Sequence, residues 1–445
     1  MSILDQHCTI PNAKIVGEYA CTLNLVDINL NSNKFYVIQA ISDGKGFHII
    51  TRYGRVGEKG VVSTKECSSK EETVKAFLAA YKSKTGVNWP SKDSKPGKYT
   101  LMVMEKPQIV DIQATAPTSV LPDKLQALLR LISNKDMITQ TLQLLSVDVK
   151  KLPLGRISNE QIDKALALLE DVKNTTDTEA LAKLCSQLWT LVPYATKRTQ
   201  RPPVLKTEEQ IKTTADMLDS LKHISVAGRL LSSDVSLDNI YTSLNTKIDP
   251  LDTNSEEYLQ IEKYIKNTHA PTHHYSLKLA NVYKLDKSAL DCSKPGGRFL
   301  MFHGSRLSNF IGILTEGLRL PRPDQVVNGT MFGQGVYFAN AISKSFNYTC
   351  ASSTGGVGLV LLCEVLLGDT DHVTNSTQKC KGDTISAHGK STPGSTEPWV
   401  VDKDVQVPNG KLVKVTAAGS LLYDEFVIYD KSRYRFRYLL HLVQN

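Results

Sequence analysis

This chain of 445 residues lacks several features that would assign it quickly. Its eight cysteines (Cys8, Cys21, Cys67, Cys185, Cys292, Cys350, Cys363 and Cys380) are scattered, and no C-x-x-C occurs. Zinc fingers are therefore not expected, and no disulfide framework can be inferred. A reducing compartment with mostly buried thiols fits that spacing. Nowhere do eighteen apolar residues run together, so no membrane-spanning helix is expected. The opening Met1-Ser2-Ile3-Leu4-Asp5 has no basic start ahead of an apolar stretch, so no signal peptide is expected either. No internal repeat is evident. With 41% apolar and 22% charged residues the composition is that of a folded chain rather than a disordered one. The length exceeds one small core and predicts about two to four domains. Net charge is +8 and unevenly spread, residues 1–104 holding 14 Lys and Arg against 9 Asp and Glu. That bias permits contact with phosphate backbones, although a solvated basic face is the commoner outcome.

Texture divides the chain. After a tail of residues 1–13, segment 14–104 alternates like a small β-rich module, with strands predicted over 19–27, 34–40 and 47–53 and Asn-rich turn material between the first two. Ser69-Lys70-Glu71-Glu72 opens a helix predicted to run to about Lys84, with Val74, Phe77, Leu78 and Tyr81 on one face. Residues 105–120 mix Pro, Ala, Thr and Ser without a period and are read as a linker. Segment 121–245 is helical: Leu125, Leu128, Leu129 and Ile132 share a face, as do Ile162, Leu166 and Leu169, then Leu181, Leu184, Leu188 and Leu191. Leu152-Pro153-Leu154-Gly155 and Pro202-Pro203 interrupt it, and a helical bundle is expected. From 246 to 445 the texture returns to short apolar strands, with 358–365 and 425–429 as buried examples. Helices there are few and short, one being Asn309–Leu314, ended by Gly317.

Three phrases in this last segment carry chemistry: Phe302-His303-Gly304-Ser305, Gly335-Val336-Tyr337-Phe338-Ala339 and Leu421-Leu422-Tyr423-Asp424-Glu425-Phe426. A glycine after a strand lets backbone approach a flat ligand and offer both N–H and C=O to a carboxamide. Ser305 and Ser345 can add hydroxyl contacts, and His303 can hold a ribose hydroxyl, though one histidine at a strand end is more often structural. Tyr337 and Tyr348 can stack on a pyridinium ring, each contributing about 0.5–2 kcal/mol, or can be ordinary core residues. Alternation puts Glu425 on the face of Tyr423, Val427 and Tyr429, where a carboxylate is costly unless partnered or used. Cleaving a nicotinamide–ribose bond builds oxocarbenium-like charge. A carboxylate on the ribose 2′-hydroxyl stabilises that charge more in the transition state than in the ground state. The same residue could accept a proton from the incoming nucleophile, or could simply be an edge glutamate facing solvent.

With these residues in view, Phe302–Tyr348 resembles the catalytic core of the poly(ADP-ribose) polymerase family, and Leu421–Asp430 is similar to its glutamate-bearing strand. The resemblance implies a His–Tyr–Glu triad of His303, Tyr337 and Glu425, with Lys344 beside the glutamate. It implies NAD+ as co-substrate and no metal. Gly304 and Ser345 would bind the nicotinamide amide, Tyr348 would stack on the ring, and His303 would hold the adenosine ribose. Ser305, Gly312 and Arg319 would lie along the dinucleotide. Residues 318–331 would cover the adenine side, and Lys390–Asn409 would border the acceptor. Upstream, Leu152–Ser158 and Leu188–Pro193 resemble motifs of the family's helical regulatory domain, which blocks NAD access until DNA is bound. Segment 14–104 is similar to the WGR domain, although its signature reads Tyr53-Gly54-Arg55 with tyrosine replacing tryptophan. Tyr53 would stack on a DNA end and Arg55 would meet its phosphate.

The fold implied is multidomain α+β: a WGR-like module, an all-α helical bundle and a mixed α+β transferase domain with split antiparallel sheets. With no zinc-finger cysteines or BRCT-like segment ahead of the first domain, and an end soon after the last strand, the chain looks most like the short members that attach mainly single ADP-ribose units. The expected activity is DNA-break-activated transfer to protein acceptors, itself included, or to DNA ends. A monomer in the nucleus, active in DNA repair and without membrane contact, is expected. Chain-making polymerase activity, an idle transferase acting as a DNA-end scaffold, and an NAD glycohydrolase are the alternatives.

Overall fold

The computed structural model describes the chain except residues 1–3, 103–118, 145–156, 231–235, 288–289, 292, 321–331, 333–334, 375–381, 396–398, 400–403 and 417–418. Most of the linker 105–120, the interruption at 152–155 and most of the loop 318–331 therefore lie outside the described residues. The chain divides into two compact units, one of residues 1–110 and 139–232, the other of residues 111–138 and 233–445. The helical segment is thus shared between them.

In the first unit, strands β1 (Lys14–Asp27), β2 (Ser32–Ser42), β3 (Phe47–Arg55), β4 (Val61–Cys67) and β5 (Thr100–Leu101) form an antiparallel sheet in the order β4-β3-β2-β1-β5. The predicted helix is Lys70–Thr85. Ser69 Oγ accepts from Glu72 N–H, while Glu72 Oε2 accepts from the Ser68 N–H and hydroxyl, so the free donors at the helix start are satisfied. Gly86, in the left-handed region at φ 79°, closes the other end. Phe77 and Tyr81 are buried against the sheet as expected. Leu78 is not, being 38% exposed. Thr73, Phe77 and Tyr81, spaced by four, define the buried stripe, and Leu78 falls one residue outside it.

Helices Asn159–Asn174, Thr178–Leu191 and Glu208–Leu230 belong to the same unit. Ile162, Leu166 and Leu169 are buried as expected. In the second helix the core stripe is Leu181, Cys185, Leu188 and Trp189, and the expected Leu184 and Leu191 are only partly covered. Its last carbonyls have no helical partner. Asn24 Nδ2 donates to Trp189 O and Thr190 O, each at 3.0 Å, and Gln161 Nε2 donates to Leu191 O at 2.6 Å. Amides buried on the sheet and on a neighbouring helix thus complete that helix end.

The second unit takes helices Asp123–Ile132 and Leu237–Ser243. Among the described residues its main sheet has six strands in the order β14-β8-β10-β17-β7-β6: β6 (Lys247–Pro250), β7 (Leu277–Lys287), β8 (Gly297–Ser305), β10 (Val357–Leu367), β14 (Val405–Gln406) and β17 (Tyr434–Gln444). A second sheet runs β11-β12-β16-β9: β9 (Val336–Phe338), β11 (Thr370–Val373), β12 (Thr384–Ala387) and β16 (Glu425–Ile428). The pair β13 (Ser391–Pro393) and β15 (Leu412–Lys414) stands apart. Pairing is antiparallel except β11 with β12 and β14 with β8. This is the split, mixed α+β arrangement expected. Helix Phe310–Glu316 ends at Gly317 as the sequence suggested. A longer helix, Glu256–Asn267, was not singled out from the sequence. Ser255 caps it and Tyr258, Ile261, Tyr264 and Ile265 face the main core, a spacing legible beforehand but set in strand-like surroundings.

Candidate active site

Among the described residues, a backbone bridge joins the six-stranded sheet of the second unit to the four-stranded one. Phe302 N–H donates to Ala339 O at 2.8 Å and Ala339 N–H returns to Phe302 O at 2.9 Å, an antiparallel bridge from β8 to the residue after β9. Because both Phe302 backbone groups turn toward Ala339, alternation sends those of His303 to β10 and those of Gly304 back to the bridge side. No described strand pairs with that edge beyond Phe302, so Gly304 presents an N–H and a C=O side by side. That is the donor–acceptor pair a carboxamide requires.

Gly304 is also sterically fixed, since a Cβ there would stand 1.8 Å from Ser345 O. Ser345 follows β9 on the short helix Ile342–Asn347 and is nearly buried, its hydroxyl donating to Phe302 O at 3.1 Å. The hydroxyl proton is thus committed, and the oxygen keeps lone pairs for an amide N–H. Tyr348 caps this helix and is 44% exposed, an aromatic surface at the mouth of the same corner. Ser305 Oγ accepts from Asn309 Nδ2 at 3.0 Å.

His303 is half-buried, with Nδ1 2.8 Å from Tyr337 O. Tyr337 in turn packs on Phe332, Val373, Ile385, Ala387 and Val427, and its hydroxyl accepts from Phe332 N–H at 3.0 Å. Across β9 and β16 the register pairs Val427 with Tyr337 and Phe426 with Phe338. Carried one step further, it sets Glu425 beside Ala339, two strand spacings (about 10 Å) from β8. Glu425 shares the face of Val427 and Tyr337. Its side chain is 12% exposed, and its Oε1 lies 3.0 Å from Lys344 Nζ. Lys344 Nζ also donates to Tyr423 O at 2.8 Å and Asp424 O at 3.1 Å. The carboxylate is therefore partnered and turned inward, not an edge group facing water. A largely buried carboxylate with one close cation can sit against a developing positive charge without prohibitive desolvation.

The flank expected along the dinucleotide is only partly built from described residues. Gly312 is buried within helix Phe310–Glu316. Arg319 Nη2 donates to Glu316 Oε2 at 2.5 Å. Of 390–409, β13 and β14 are described, and 396–398 and 400–403 lie outside the described residues. Nearby, Tyr275 donates to Ser343 O at 3.1 Å and Asn347 Oδ1 at 2.7 Å, and burial pushes its hydroxyl up to about 12. Burial, aided by neighbouring histidines, pulls His273 below the usual histidine range. Asp424 was passed over in the sequence. A short polar residue beside a candidate glutamate, pointing by alternation to the opposite face, was the available signal.

In the first unit, Tyr53 is 43% exposed on β3 and stacks on Tyr36, its cross-strand partner, at 5.5 Å and 10°. Lys84 Nζ lies 4.4 Å from the centre of the Tyr36 ring. Arg55, expected to reach phosphate, is held within the unit instead. Its guanidinium donates to Asn31 O at 2.9 Å, Thr196 Oγ1 at 2.9 Å, Gln200 O at 2.8 Å and Thr196 O at 3.3 Å. In this conformation it is a clamp on the segment after helix Thr178–Leu191, not an open phosphate ligand.

Comparison with known proteins gives three successive matches. Residues 19–96 match the WGR domain, 119–254 the poly(ADP-ribose) polymerase regulatory domain, and 255–444 the poly(ADP-ribose) polymerase catalytic domain. A poly [ADP-ribose] polymerase of Drosophila melanogaster is 33% identical over 96% of this chain, which spans 46% of that relative's length. Poly [ADP-ribose] polymerase 2-A of Oryza sativa subsp. japonica is 32% identical, over 96% of this chain and 70% of its own length. Poly [ADP-ribose] polymerase 2 of Zea mays is 33% identical, over 99% and 74%. The chain thus spans about half the length of the insect relative and about three-quarters of the plant ones.

Proposed function

The chain belongs to the poly(ADP-ribose) polymerase family, and from that premise we propose that it is a DNA-break-activated ADP-ribosyltransferase using NAD+ as co-substrate. The observation that carries the reading is the junction of the two sheets, where the Phe302–Ala339 bridge and the β9–β16 ladder gather His303, Tyr337 and the Lys344-paired Glu425. Gly304 and Ser345 take the nicotinamide amide, and Tyr348 covers the ring. Glu425 binds the ribose hydroxyl. The bond from C1′ to the nicotinamide nitrogen breaks with its electrons leaving on nicotinamide. The acceptor oxygen then bonds to C1′, and Glu425 takes the acceptor's proton.

Acceptors are protein side chains, the chain itself included, or terminal DNA phosphates. Product of mainly single units follows from likeness to the mono-transferring branch alone. DNA dependence is supported by the WGR match, the basic first segment and the exposed Tyr53 stack. A DNA end held there would loosen the regulatory helices and shift a closed–open equilibrium at the NAD site. Such work implies a monomer acting in the nucleus on broken DNA. The test is one incubation with labelled NAD+, with and without nicked duplex, resolved on a gel. Label on protein that rises with the duplex is expected, as a discrete band for single units. A smear replaces single units with chains. Label independent of DNA overturns break activation, and free ADP-ribose without labelled acceptor overturns transfer.

A further inference from the structure

The residue before Glu425 is a carboxylate the reaction does not use. Asp424 is 1% exposed, and burying such a group is unfavourable unless its oxygens are occupied. Here three donors occupy them. Gly389 N–H reaches Oδ1 at 2.8 Å, Asn340 Nδ2 reaches Oδ2 at 2.7 Å, and Thr392 Oγ1 reaches Oδ2 at 2.6 Å. His388 Nδ1 lies 3.9 Å from Oδ1. Those donors come from different segments. Asn340 lies between the Phe302–Ala339 bridge and the helix that carries Lys344 and Ser345. Gly389, just ahead of β13, and Thr392, within it, belong to a strip that runs along 421–424 through Lys390 N–H to Leu421 O at 3.0 Å and Ser391 N–H to Leu422 O at 2.9 Å.

The sheet explains why such a knot sits at this residue. Strand β16 begins at Glu425, paired with Ala387 on one side, while on the other side its ladder with β9 starts only at Phe426. The backbone entering Glu425 is therefore at the end of the ladder, where strands fray. By alternation Asp424 faces away from Glu425, so it cannot act on substrate directly. What it can do is hold the backbone from which Glu425 projects.

We propose that Asp424 is the positioning residue for Glu425, fixing the start of β16 to both the Lys344 helix and the 389–392 strip. This rests on the transferase reading above. What Asp424 supplies is hydrogen-bond acceptance rather than charge. Asn340 Oδ1 is buried and accepts from no described residue. If Asp424 became an amide, Asn340 could turn its own amide and receive the new N–H, preserving that tie.

The experiment measures nicotinamide release against NAD+ concentration in the full chain with saturating nicked duplex present, with melting temperature alongside, for wild type, Asp424→Ala, Asp424→Asn and Thr392→Val. The expected result is a kcat at least tenfold lower in Asp424→Ala with KM for NAD+ within about threefold. Asp424→Asn should recover to within about threefold of wild type. A kcat within threefold in Asp424→Ala overturns the proposal, and so does a defect confined to KM. An Asp424→Asn as impaired as Asp424→Ala overturns it by showing that charge is what matters. Should Asp424→Ala fail to fold, Thr392→Val decides. It removes one donor and keeps the carboxylate, so a threefold or larger fall in kcat at unchanged KM supports positioning, and full activity overturns it. A wild-type chain that releases no nicotinamide overturns the transferase reading itself, whereas an active wild type beside an unimpaired Asp424→Ala overturns this proposal alone.

Discussion

The His303–Glu425 junction and the Tyr53–Arg55 corner were both marked by short sequence phrases, yet they are finished in opposite ways. At the junction the chain's own contacts leave surface for a ligand: the Gly304 backbone pair points to an open edge, and Tyr348 shows nearly half its area. At the corner the guanidinium expected for phosphate is filled by Asn31, Thr196 and Gln200. The difference lies in where partners come from. Gly304 is defined by its immediate backbone and by Ser345, which the same family phrase contains. Arg55 is held by Asn31, 24 positions back, and by Thr196 and Gln200, more than 140 positions on in a stretch without period or motif. Short phrases carry the local geometry they contain, and they carry little of the contacts that distant irregular chain supplies.

The largest break in this comparison is expected from Gly304→Ala. The added methyl would stand 1.8 Å from Ser345 O, against backbone that cannot swing away. Overpacking of this kind costs about 1–3 kcal/mol or more, and here it would part the β8 edge from the nicotinamide side. Loss of at least 100-fold in NAD+ affinity, by calorimetry or analogue binding, is the expected outcome. Near-normal binding would remove Gly304 from the site.

A smaller effect is expected from Arg55→Ala. Charged hydrogen bonds of this type contribute about 1.5–3 kcal/mol each when buried and less here, where the group is half-exposed, so about 1–3 kcal/mol in total is reasonable. Thermal denaturation should show a lower first transition, and Arg55→Lys should rescue little because one ammonium cannot reach all these acceptors. An unchanged transition combined with lost DNA affinity would return Arg55 to the phosphate role.

The smallest change in stability is expected from Tyr53→Ala, below about 1 kcal/mol, since the residue is nearly half exposed and loses mainly its stack on Tyr36. Affinity for a fluorescent nicked duplex should still fall several-fold, as about 1–3 kcal/mol accompanies each base stacked on an aromatic ring. Unaltered affinity would leave Tyr53 a structural partner of Tyr36.

Much of the fold was legible because its periods are local. The strands of the first sheet, the capped helix after Ser69 and the helix stopped by Gly317 follow from alternation, capping and glycine conformation. Leu78 was misassigned because a residue one step off a helical stripe differs little in sequence from one on it. Helix Glu256–Asn267 was overlooked because its neighbours alternate like strands. The sharing of the helical segment between two units had no local signal at all. In the site, His303, Tyr337 and Glu425 are legible as residue types suited to a nicotinamide nucleotide, Glu425 also from the cost of burying charge, whereas Lys344 is implied only by the family resemblance. Asp424 obeys the same physics and was passed over because its three donors lie in segments the sequence does not visibly connect.

The central claim is that the Glu425 carboxylate, held inward by Lys344, does chemistry rather than packing. Glu425→Gln in the labelled-NAD+ reaction with nicked duplex tests it most directly, because the amide preserves size and hydrogen bonding while removing the charge. NAD+ binding should persist within a fewfold while transfer falls by at least 100-fold. Transfer at near wild-type rate, with binding intact, would contradict the account.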